Sequence, residues 1–393
     1  ILRTNKLAMS FVFGRSESKY NIQEKMMSAS QEMMQSLFSN FSPMFDRLAQ
    51  SCTPELKEKL FSPDSIRVAI ITHNCSGFQP SFAADRNKFG YGSHSNLHES
   101  HVLIICLQEI VAMKTKNIKN ILLESTEESF VTWRNFYAQL FPKFYIVFNK
   151  NLLRLAMIVM VKKNLRDYDF QVHESEFLRL GAFHMANKGS IVIRTSINFQ
   201  PVNFLCCHLT SGISESALEK RCEDLIKISK LLENEKDKLS FIVGDLNFRA
   251  QMELSLAEEL KRQVETDDGA LHILPKPKLD EFLQFDELLR VLKRPEFVDF
   301  SELPIKFLPT YRFYHFTSEY DLAEGKRIPS WTDRILMFGN NSFVNSPIYY
   351  ADYETNFSDH KPLFCIFELA VKHINSKPAS EQLFSKFPVS SFD

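Results

Sequence analysis

Short apolar runs of strand length recur along the chain from residue 66 onward. They span 68–72, 102–107, 145–148, 156–161, 190–196, 202–207, 239–243, 334–338 and 363–367. Many are apolar at successive positions, which is typical of strands that are buried on both faces. Between them, the apolar spacing of helices is found at 130–140, 215–232, 252–264 and 280–293. Strands that alternate with helices predict an α/β domain with its helices outside.

Residues 1–65 have a different pattern. Met and Phe side chains recur at roughly helical spacing between residues 26 and 48, which predicts one or two amphipathic helices. Such helices can pack on the following domain or lie on a partner or membrane surface. Their polar face is not rich in Lys or Arg, which favours packing. The chain therefore divides into a helical extension at 1–65, a main domain at 66–370 and a partly ordered tail at 371–393.

The composition is ordinary for a soluble protein, because 44% of the 393 residues are hydrophobic and 24% are charged. The formal net charge is −1, so no overall field attracts nucleic acid or an anionic membrane. Any recognition of phosphate groups therefore has to come from a local cluster of cationic side chains.

The cysteines indicate the redox environment. Their number, seven, is odd, no C-x-x-C spacing occurs, and several lie inside apolar runs, where free thiols pack as small hydrophobic groups. This predicts a reducing, intracellular compartment. No apolar run reaches the roughly 18 residues that span a membrane, and no signal peptide is evident. We therefore expect a cytoplasmic protein.

Polar side chains follow several of the apolar runs. The segment GDLNFR at 244–249 places an aspartate, an asparagine and an arginine directly after a strand. The segments WTDR at 331–334 and SDHKP at 358–362 add further acidic, basic and imidazole groups. A rigid sheet that presents polar groups at its edge in this way is a common basis for a functional site.

Three routes to phosphate hydrolysis are excluded by the sequence. No cysteine begins a C-x5-R spacing, no Walker A segment is present, and no D-x-D-x-[TV] segment offers an aspartyl nucleophile. His94, His98, Glu99 and His101 lie in a Gly-, Ser- and Asn-rich segment without HExxH spacing, which predicts a solvated loop rather than a zinc site.

Metal-assisted hydrolysis of a phosphate group needs three kinds of group. A hard cation takes oxygen ligands and offsets charge on the leaving oxygen. A carboxylate or an imidazole orients the attacking water. Cationic or amide donors hold the phosphate oxygens. The polar residues that follow the predicted strands supply all three kinds.

These segments, with LQE at 107–109, resemble the motifs of the inositol polyphosphate 5-phosphatases, which belong to a wider group of nucleases and phosphatases related to DNase I. The resemblance covers about residues 66–370. It implies a four-layer α/β sandwich, in which two mixed β-sheets lie face to face with helices on both outer sides. It also implies Mg²⁺-dependent removal of a 5-phosphate by direct attack of water, in a cleft where the strand ends converge.

The resemblance also implies which residues bind the metal and carry the reaction. Glu109 of LQE matches the principal Mg²⁺ ligand of the family, and Asn74 matches an Asn beside the metal. The implied catalytic residues are Asp245, Asn247, His360, His208, Asp333 and Asp359. Asp245 would orient or deprotonate the water, and Asn247 and His208 would contact the phosphate. His360 would stabilise the phosphate or share the proton role, so the identity of the formal base stays open.

The implied substrate contacts are Asn187, Lys188, Tyr311, Arg312 and Arg327. The first two come from the family's N-K-G segment. Tyr311 and Arg312 come from a P-T-Y-K segment in which Arg replaces Lys, a change that keeps the charge and alters the geometry. In the family, these two positions and that of Arg327 grip the ring phosphate next to the one removed. The set therefore implies a substrate with a 4-phosphate beside the scissile 5-phosphate.

Three positions depart from the family's pattern. His73 stands where the family has Trp, Ala186 replaces the first Gly of G-N-K-G, and Gly212 replaces the second His of H-L-A-A-H. The last change removes a support for His208. Loss of such a support lowers activity roughly 10–100-fold at metal sites, so we expect a reduced rate rather than an inactive enzyme.

The sequence thus predicts a 5-phosphatase with phosphatidylinositol 4,5-bisphosphate as its leading substrate, located peripherally at the cytosolic face of membranes. The choice between lipid and soluble inositol phosphates stays open. One alternative is a nuclease on the same fold, although the chain is not basic and carries the substrate-gripping segment. The other is a lipid-binding scaffold that has lost turnover, which the changes at His73 and Gly212 motivate.

Overall fold

The computed structural model describes residues 65–90, 94–112, 120–165, 170–180, 188–266, 270–323, 327–342 and 344–370. The predicted helical extension up to residue 64 and the predicted tail at 371–393 lie outside the described residues. The domain boundaries proposed from the sequence therefore stay predictions.

The described strands are β1 (Ser65–Asn74), β2 (Val102–Gln108), β3 (Phe144–Leu152), β4 (Leu155–Lys162), β5 (Phe170–Arg179), β6 (Gly189–Ile197), β7 (Gln200–His208), β8 (Leu239–Asp245), β9 (Phe300–Glu302), β10 (Asp333–Gly339), β11 (Val344–Ala351) and β12 (Leu363–Ala370). The described α-helices are α1 (Phe82–Asp85), α2 (Ser95–Glu99), α3 (Asn120–Leu140), α4 (Glu215–Leu232), α5 (Leu254–Val264), α6 (Lys276–Leu283) and α7 (Glu287–Val291).

The strands form two sheets, ordered β11-β12-β1-β2-β4-β3 and β5-β6-β7-β8-β10-β9. Both sheets are mixed, because β1–β2 and β7–β8 are parallel while their other neighbours are antiparallel. The carboxyl ends of these four parallel strands carry Asn74, Gln108, His208 and Asp245. This arrangement brings the predicted site residues to the strand ends.

Each sheet buries both faces, as the apolar runs predict. On β1, Val68 and Ile70 face a core shared with the second sheet, while Ala69 and Ile71 face the helical layer that contains α3. The outer face of the second sheet packs against α4 and α7. Two sheets enclosed by helices on both outer sides confirm the predicted four-layer α/β sandwich.

Gly244 shows why the segment before Asp245 needs glycine. Its φ is +148°, and a Cβ at this position would lie 1.9 Å from the carbonyl oxygen of Cys207 on the neighbouring strand β7. Only glycine allows β8 to pass this close to β7. The close approach places Asp245 directly opposite His208.

Two predicted local structures are wrong. The predicted helix at 280–293 is divided into α6 and α7, because the Asp286 side chain accepts a hydrogen bond from the Leu289 backbone and caps α7. The His-rich segment predicted as a loop contains the short helix α2.

The six cysteines among the described residues are buried free thiols. None of the described helices combines the length and the apolar character needed to cross a membrane.

Candidate active site

Strand register assembles the centre of the site. In the parallel pair β7–β8, His208 lies opposite Asp245, and in the antiparallel pair β8–β10, Asp333 lies opposite Asp245. In the first sheet, Asn74 lies opposite Gln108, the residue before Glu109. A hydrogen bond of 2.9 Å from Asn74 Nδ2 to Asp245 Oδ2 then joins the two sheets at the strand ends.

Asp245 is the buried carboxylate at this centre. Besides Asn74, its Oδ2 lies 3.3 Å from His208 Nε2, and its Oδ1 accepts a hydrogen bond of 3.0 Å from the Asn247 backbone. Burial alone would raise the pKa of the Asp245 carboxyl, but the hydrogen bond from His208 and the nearby charge of His360 hold it well below its usual range. Asp245 is therefore an ionised hydrogen-bond acceptor at neutral pH.

His360 and Asp333 form a pair beside Asp245. His360 Nδ1 lies 2.9 Å from Asp333 Oδ2, which also accepts hydrogen bonds from the hydroxyls of Thr310 (2.7 Å) and Thr332 (3.1 Å). Burial lowers the pKa of His360, but the Asp333 carboxylate outweighs it and raises the pKa to about 10. His360 is therefore an imidazolium at neutral pH, as a group that stabilises a phosphate requires.

Glu109 lies at the end of the parallel strand pair of the first sheet, with a positive φ of 52°. Its Oε2 accepts a hydrogen bond of 2.7 Å from Arg154 Nη2, while its Oε1 lies 3.9 Å from His208 Nε2. Burial raises the pKa of Glu109, but the charges of His208, Arg154 and Lys188 outweigh it and hold the pKa below its ordinary value. Glu109 is thus an ionised carboxylate whose side chain is 28% exposed.

The oxygen donors Glu109 and Asn74 fit a hard cation. Carboxylate and amide oxygens are the ligands such cations prefer, and Glu109 keeps Oε1 clear of its bond to Arg154. The Asn74 Oδ1 accepts a hydrogen bond of 3.1 Å from the Ser76 backbone, which leaves its second lone pair. Glu109 and Asn74 could therefore hold a divalent metal.

A second cluster of ligand-type atoms lies beside the first. Ligand atoms of Asp245, Asp333 and His360 lie within 4.8 Å of one another. His360 Nδ1 lies 2.9 Å from Asp333 Oδ2, and Asp245 Oδ2 accepts a hydrogen bond from Asn74. The ligand-type atoms of this cluster are thus bonded to one another and to their neighbours.

Lys188 adds a cation close to His208, since its Nζ contacts His208 Nε2. Burial lowers the pKa of Lys188 to about 8, although Asp245 and Glu109 oppose the shift. Burial and the charge of Lys188 also lower the pKa of His208. Asn187, the other residue taken from the N-K-G segment, lies outside the described residues.

Two of the predicted phosphate-gripping residues contact His360 or its neighbour in the chain, Asp359. The Tyr311 backbone pairs with Ser330, and the Tyr311 ring lies 4.5 Å from the His360 ring. Arg312 Nε lies 3.2 Å from Asp321 Oδ2 and 3.7 Å from Asp359 Oδ2. Asp359 therefore contacts Arg312, and its predicted catalytic role stays a prediction.

Arg327 differs from Tyr311 and Arg312 in its surroundings. It is exposed on the segment that leads to Ser330, directly after residues 324–326, which lie outside the described part of the chain. Its role in gripping a phosphate therefore stays a prediction based on the motif.

Two of the residues that depart from the family's pattern, His73 and Gly212, make contacts of their own. His73 is fully buried against the Phe357 ring at 4.8 Å, its Nε2 lies 3.2 Å from the His360 carbonyl oxygen, and burial lowers its pKa to about 3. The Gly212 carbonyl accepts a hydrogen bond of 2.9 Å from Arg221 Nη1. Ala186 lies outside the described residues. His73 thus contacts the backbone of a site residue, whereas the hydrogen bond at Gly212 is made to Arg221.

Sequence reasoning did not assign Arg154 or Arg249 to the site. Arg154 lies in the β3–β4 turn, 45 residues after Glu109, and no local motif marks it. Arg249 ends the GDLNFR segment, and that position next to Asn247 was the available signal. Arg249 Nη2 donates a hydrogen bond of 2.6 Å to Asn247 Oδ1.

Two face-to-face mixed sheets, with these groups at their strand ends, define a protein of the DNase I-like fold. The sequence profile of endonuclease/exonuclease/phosphatase family 2 matches residues 71–366, about three quarters of the chain. The chain therefore belongs to the endonuclease/exonuclease/phosphatase family.

Similar proteins of known sequence agree with the resemblance seen in the motifs. A polyphosphatidylinositol phosphatase of Saccharomyces cerevisiae is 25% identical over 347 residues, which are 84% of this chain and 29% of that protein. The type I inositol polyphosphate 5-phosphatase 2 of Arabidopsis thaliana is 28% identical, over 61% of this chain and 39% of that protein. Synaptojanin of Caenorhabditis elegans is 26% identical, over 84% and 30%. The chain spans less than half the length of these relatives.

Solved structures agree on the fold. The inositol polyphosphate 5-phosphatase domain of spSynaptojanin, in complex with inositol 1,4-bisphosphate and calcium, is 20% identical with a TM-score of 0.59, over 84% of this chain and 90% of that one. A Cimex nitrophorin, in a ferrous NO complex, is 18% identical with a TM-score of 0.56, over 79% and 100%. Because proteins this different share the fold, an activity has to be argued from the site residues.

Proposed function

We propose that this protein is a metal-dependent phosphatase that removes the 5-phosphate from phosphoinositides, soluble inositol polyphosphates or both. The observation that supports this most is the ionised, buried Asp245, bonded to Asn74 and His208. The imidazolium of His360 and the cationic Lys188 lie around it. An acceptor for water surrounded by cations suits the hydrolysis of an anionic ester.

In the proposed reaction, Asp245 accepts a hydrogen bond from the attacking water and orients it. The cationic His360, with Lys188 and His208, then holds the phosphate oxygens as negative charge moves onto the leaving oxygen. Asn247 contacts the same phosphate group. A divalent ion, Mg²⁺ in our proposal, would be held by Glu109 with Asn74 and would offset charge on the phosphate. Water attacks phosphorus directly as the bond between phosphorus and the ring 5-oxygen breaks. The hydroxyl of the water stays on the released phosphate, its proton ends on the ring hydroxyl, and no phosphoenzyme forms.

Asp245 is better suited to orient the water through a hydrogen bond than to act as the base that removes its proton. A carboxyl with a pKa well below its usual range is a weak base, and a protonated His360 cannot accept a proton at neutral pH. The strong acceptor and the strong donor of the site are thus separate groups. This division supports the stabilising role for His360 among the two that the motif leaves open.

Substrate choice depends on the phosphate clamp, by which we mean Tyr311, Arg312 and Arg327. We propose that the clamp binds a 4-phosphate next to the scissile 5-phosphate, which makes phosphatidylinositol 4,5-bisphosphate the leading substrate. Tyr311 lies against His360, and the guanidinium of Arg312 is oriented by Asp321 and Asp359. A planar guanidinium held in this way can bind a phosphate bidentately.

Peripheral contact with a cytosolic membrane surface is part of the proposal. The chain leaves the clamp through a hairpin, residues 313–320, in which Phe313 pairs with Tyr320. Tyr314 and Phe316 of this hairpin are 39% and 59% exposed. Aromatic side chains beside a headgroup site suit the interface of a bilayer. The predicted helices at 1–65 could add a further membrane or protein contact.

The alternative of a lipid-binding scaffold is less well supported. It rested on His73 and Gly212. His73 Nε2 lies 3.2 Å from the carbonyl oxygen of His360, and the Gly212 carbonyl accepts a hydrogen bond from Arg221. The contacts of Asp245, His360 and Lys188 that the reaction needs are present as well.

The test is phosphate release from four substrates, with Mg²⁺ and with EDTA. They are phosphatidylinositol 4,5-bisphosphate, phosphatidylinositol 5-phosphate, inositol 1,4,5-trisphosphate and inositol 1,4-bisphosphate. We expect release from the three 5-phosphorylated substrates, fastest with a 4-phosphate, and none in EDTA. Release from inositol 1,4-bisphosphate, or release that EDTA leaves unchanged, would contradict the proposal. Binding without release from folded protein would favour the scaffold.

A further inference from the structure

Tyr311 makes contacts with two cationic side chains. The Arg249 guanidinium carbon lies 4.6 Å from the centre of the Tyr311 ring, and the His360 ring lies 4.5 Å from it, at an angle of 39°. An aromatic ring attracts cations to its face. The orientation of the Tyr311 ring therefore depends on Arg249 as well as on His360.

Arg249 also fixes the Asn247 amide. Its Nη2 donates a hydrogen bond of 2.6 Å to Asn247 Oδ1, while Asn247 Nδ2 donates one of 3.2 Å to the Leu209 carbonyl. With both ends of the amide engaged, Asn247 has one orientation. One guanidinium thus contacts the residue proposed to hold the scissile phosphate and the residue proposed to hold its neighbour.

The Arg249 backbone is held in place by Glu287. Its N–H donates a hydrogen bond of 2.8 Å to Glu287 Oε2, and its carbonyl accepts one of 2.9 Å from the Glu287 backbone. Glu287 in turn is paired with Arg221 at 2.7 Å, and both side chains are fully buried. A residue anchored in this way can hold its neighbours in position rather than follow their motion.

The Arg249 side chain contacts mainly Tyr311 and Asn247. Its Nε is buried and has no hydrogen-bond partner among the described residues. The Tyr311 ring and the Asn247 amide oxygen are therefore its principal contacts at the site. A lysine could not replace both, because its ammonium is a compact charge without a planar face to stack.

We propose that Arg249 is a positioning residue for specificity: it couples recognition of the phosphate beside the scissile one, through Tyr311, to the orientation of Asn247. The proposal rests on the proposed function. It separates Arg249 from the predicted clamp, whose members contact that phosphate themselves. Loss of Arg249 should therefore reduce the advantage that a 4-phosphate confers more than it reduces hydrolysis as such.

The experiment compares wild type, Arg249→Lys, Arg249→Met, Tyr311→Leu and the Arg249→Met/Tyr311→Leu double variant. For each, kcat and KM are measured with short-chain phosphatidylinositol 4,5-bisphosphate and phosphatidylinositol 5-phosphate. Arg262→Met removes an arginine from an exposed position of α5 and is the matched control. Thermal unfolding identifies variants that are merely unstable, and Arg249→Lys, which keeps the charge, carries the test if Arg249→Met does not fold.

We expect both Arg249 variants to raise KM for the 4,5-bisphosphate about tenfold, the order expected for loss of a partly desolvated cation–ring contact, and to lower kcat/KM for the 5-phosphate less. In the double variant, the preference for a 4-phosphate should fall no further than in Tyr311→Leu alone, because the two residues act as one unit. Arg262→Met should keep the wild-type preference.

An equal loss on both substrates would assign Arg249 a structural role and overturn the inference, as would additive effects in the double variant. If wild type is active and the Arg249 variants keep its preference for the 4,5-bisphosphate over the 5-phosphate, the inference is overturned and the proposed function stands. If wild type releases no phosphate from either substrate, the proposed function fails and the inference fails with it. Binding of inositol 1,4-bisphosphate, measured calorimetrically without divalent ions, should likewise weaken about tenfold in Arg249→Lys, and unchanged binding would also count against the inference.

Discussion

At the scale of single residues, Asp333 decides the charge of His360. Burial lowers the pKa of His360, but the Asp333 carboxylate, with smaller contributions from Asp245 and Asp359, raises it from 6.5 to about 10. Because the pKa is raised, the folded protein keeps the imidazolium until the pH approaches about 10. The stability that the pair contributes is complete below pH 6.5 and is lost as the pH rises through about 10. A wild-type enzyme should therefore keep this donor across the neutral range.

Asp333→Asn should move the alkaline limb of the pH–kcat/KM profile to a lower pH, since it removes the largest of the carboxylate charges that oppose the effect of burial on the His360 pKa. Thr310→Val is the matched variant, because it removes a neutral donor to the same Asp333 oxygen and keeps the charge. Its profile should keep the wild-type limb. Identical limbs in wild type and Asp333→Asn would show that His360 does not donate in the rate-limiting step.

Arg154 should govern how well the site holds its metal. It orients Glu109 through a 2.7 Å hydrogen bond and is fixed by another of 2.7 Å from its Nε to the Val111 carbonyl. Residues that orient a metal ligand typically contribute 10–100-fold to affinity. Arg154→Met should therefore raise the Mg²⁺ concentration for half-maximal phosphate release by at least about tenfold.

Titration of activity with Mg²⁺ tests the role of Arg154. At saturating Mg²⁺, we expect Arg154→Met to regain much of the wild-type rate, since the ligand is still present. A lower rate with an unchanged Mg²⁺ requirement would place Arg154 outside the metal site. Arg134→Met, which changes an exposed part of α3, controls for the loss of a cation.

Motifs identified most residues of the candidate site. The clearest signal belongs to those at or directly after the carboxyl end of an apolar run that forms a strand, namely Asn74, Glu109, His208 and Asp245. Arg154 and Arg249 were not assigned for different reasons. Arg154 reaches Glu109 only through the pairing of β2 with β4, a contact that local sequence does not encode. The contacts of Arg249 with Tyr311, 62 residues later in the chain, likewise form only in the folded protein.

At the scale of elements, a buried lysine joins two segments of the site. Lys361 donates hydrogen bonds of 2.9 Å to the Thr317 carbonyl in the hairpin and of 3.1 Å to the Thr355 carbonyl before His360. Its Nζ also lies 4.7 Å from the Phe313 ring. Lys361 thus holds the hairpin that follows Arg312 against the segment that leads to His360.

The titration of Lys361 should appear in the stability of the fold. Burial lowers its pKa from 10.5 to about 7, so the unfolded chain binds more protons between these pH values. The free energy of unfolding should therefore rise with pH across this window, by at most about 1.4 kcal/mol per pH unit. In Lys361→Met this component should disappear, in a protein that is less stable overall.

Urea unfolding between pH 7 and pH 10 measures this component as the difference between wild type and Lys361→Met. The difference should grow with pH. Lys220→Met, at an exposed position of α4, controls for the loss of a surface charge. A difference that stays constant with pH would contradict the buried, proton-linked state of Lys361.

The described strands that the sequence did not predict all lie at the edge of a sheet. Strands β5 and β9 end the second sheet and β11 ends the first, so each has one edge without a partner strand in its sheet. In β5, Glu174, Glu176 and other polar residues alternate with apolar ones, and the run does not read as apolar. The continuous apolar runs were recognised because those strands are covered on both faces.

At the scale of the whole molecule, the two sheets depend on a shared core. Phe241 of β8 is fully buried, stacked at 5.6 Å on Phe204 of its own sheet and at 4.8 Å on Phe367 of the other. Phe241→Ala should destabilise the fold by about 3–5 kcal/mol, because it removes a large side chain and leaves a cavity. Phe177→Ala, where the side chain is 46% exposed, should cost less than about 1 kcal/mol.

Chemical unfolding measures both variants. Because Phe241 lies four residues before Asp245 on the same strand, we also expect Phe241→Ala to lose activity at a lower urea concentration than wild type. Equal stability of the two variants would mean that the sheets do not share the core described by these rings.

The most direct measurement of the central claim is the identity of the product. Wild type and Asp245→Asn, both shown to be folded, are incubated with inositol 1,4,5-trisphosphate and Mg²⁺, and the products are assigned by ³¹P NMR. We predict inositol 1,4-bisphosphate and inorganic phosphate from wild type and no release from Asp245→Asn. Loss of the 1- or 4-phosphate, or equal release by the variant, would contradict a 5-phosphatase whose water is oriented by Asp245.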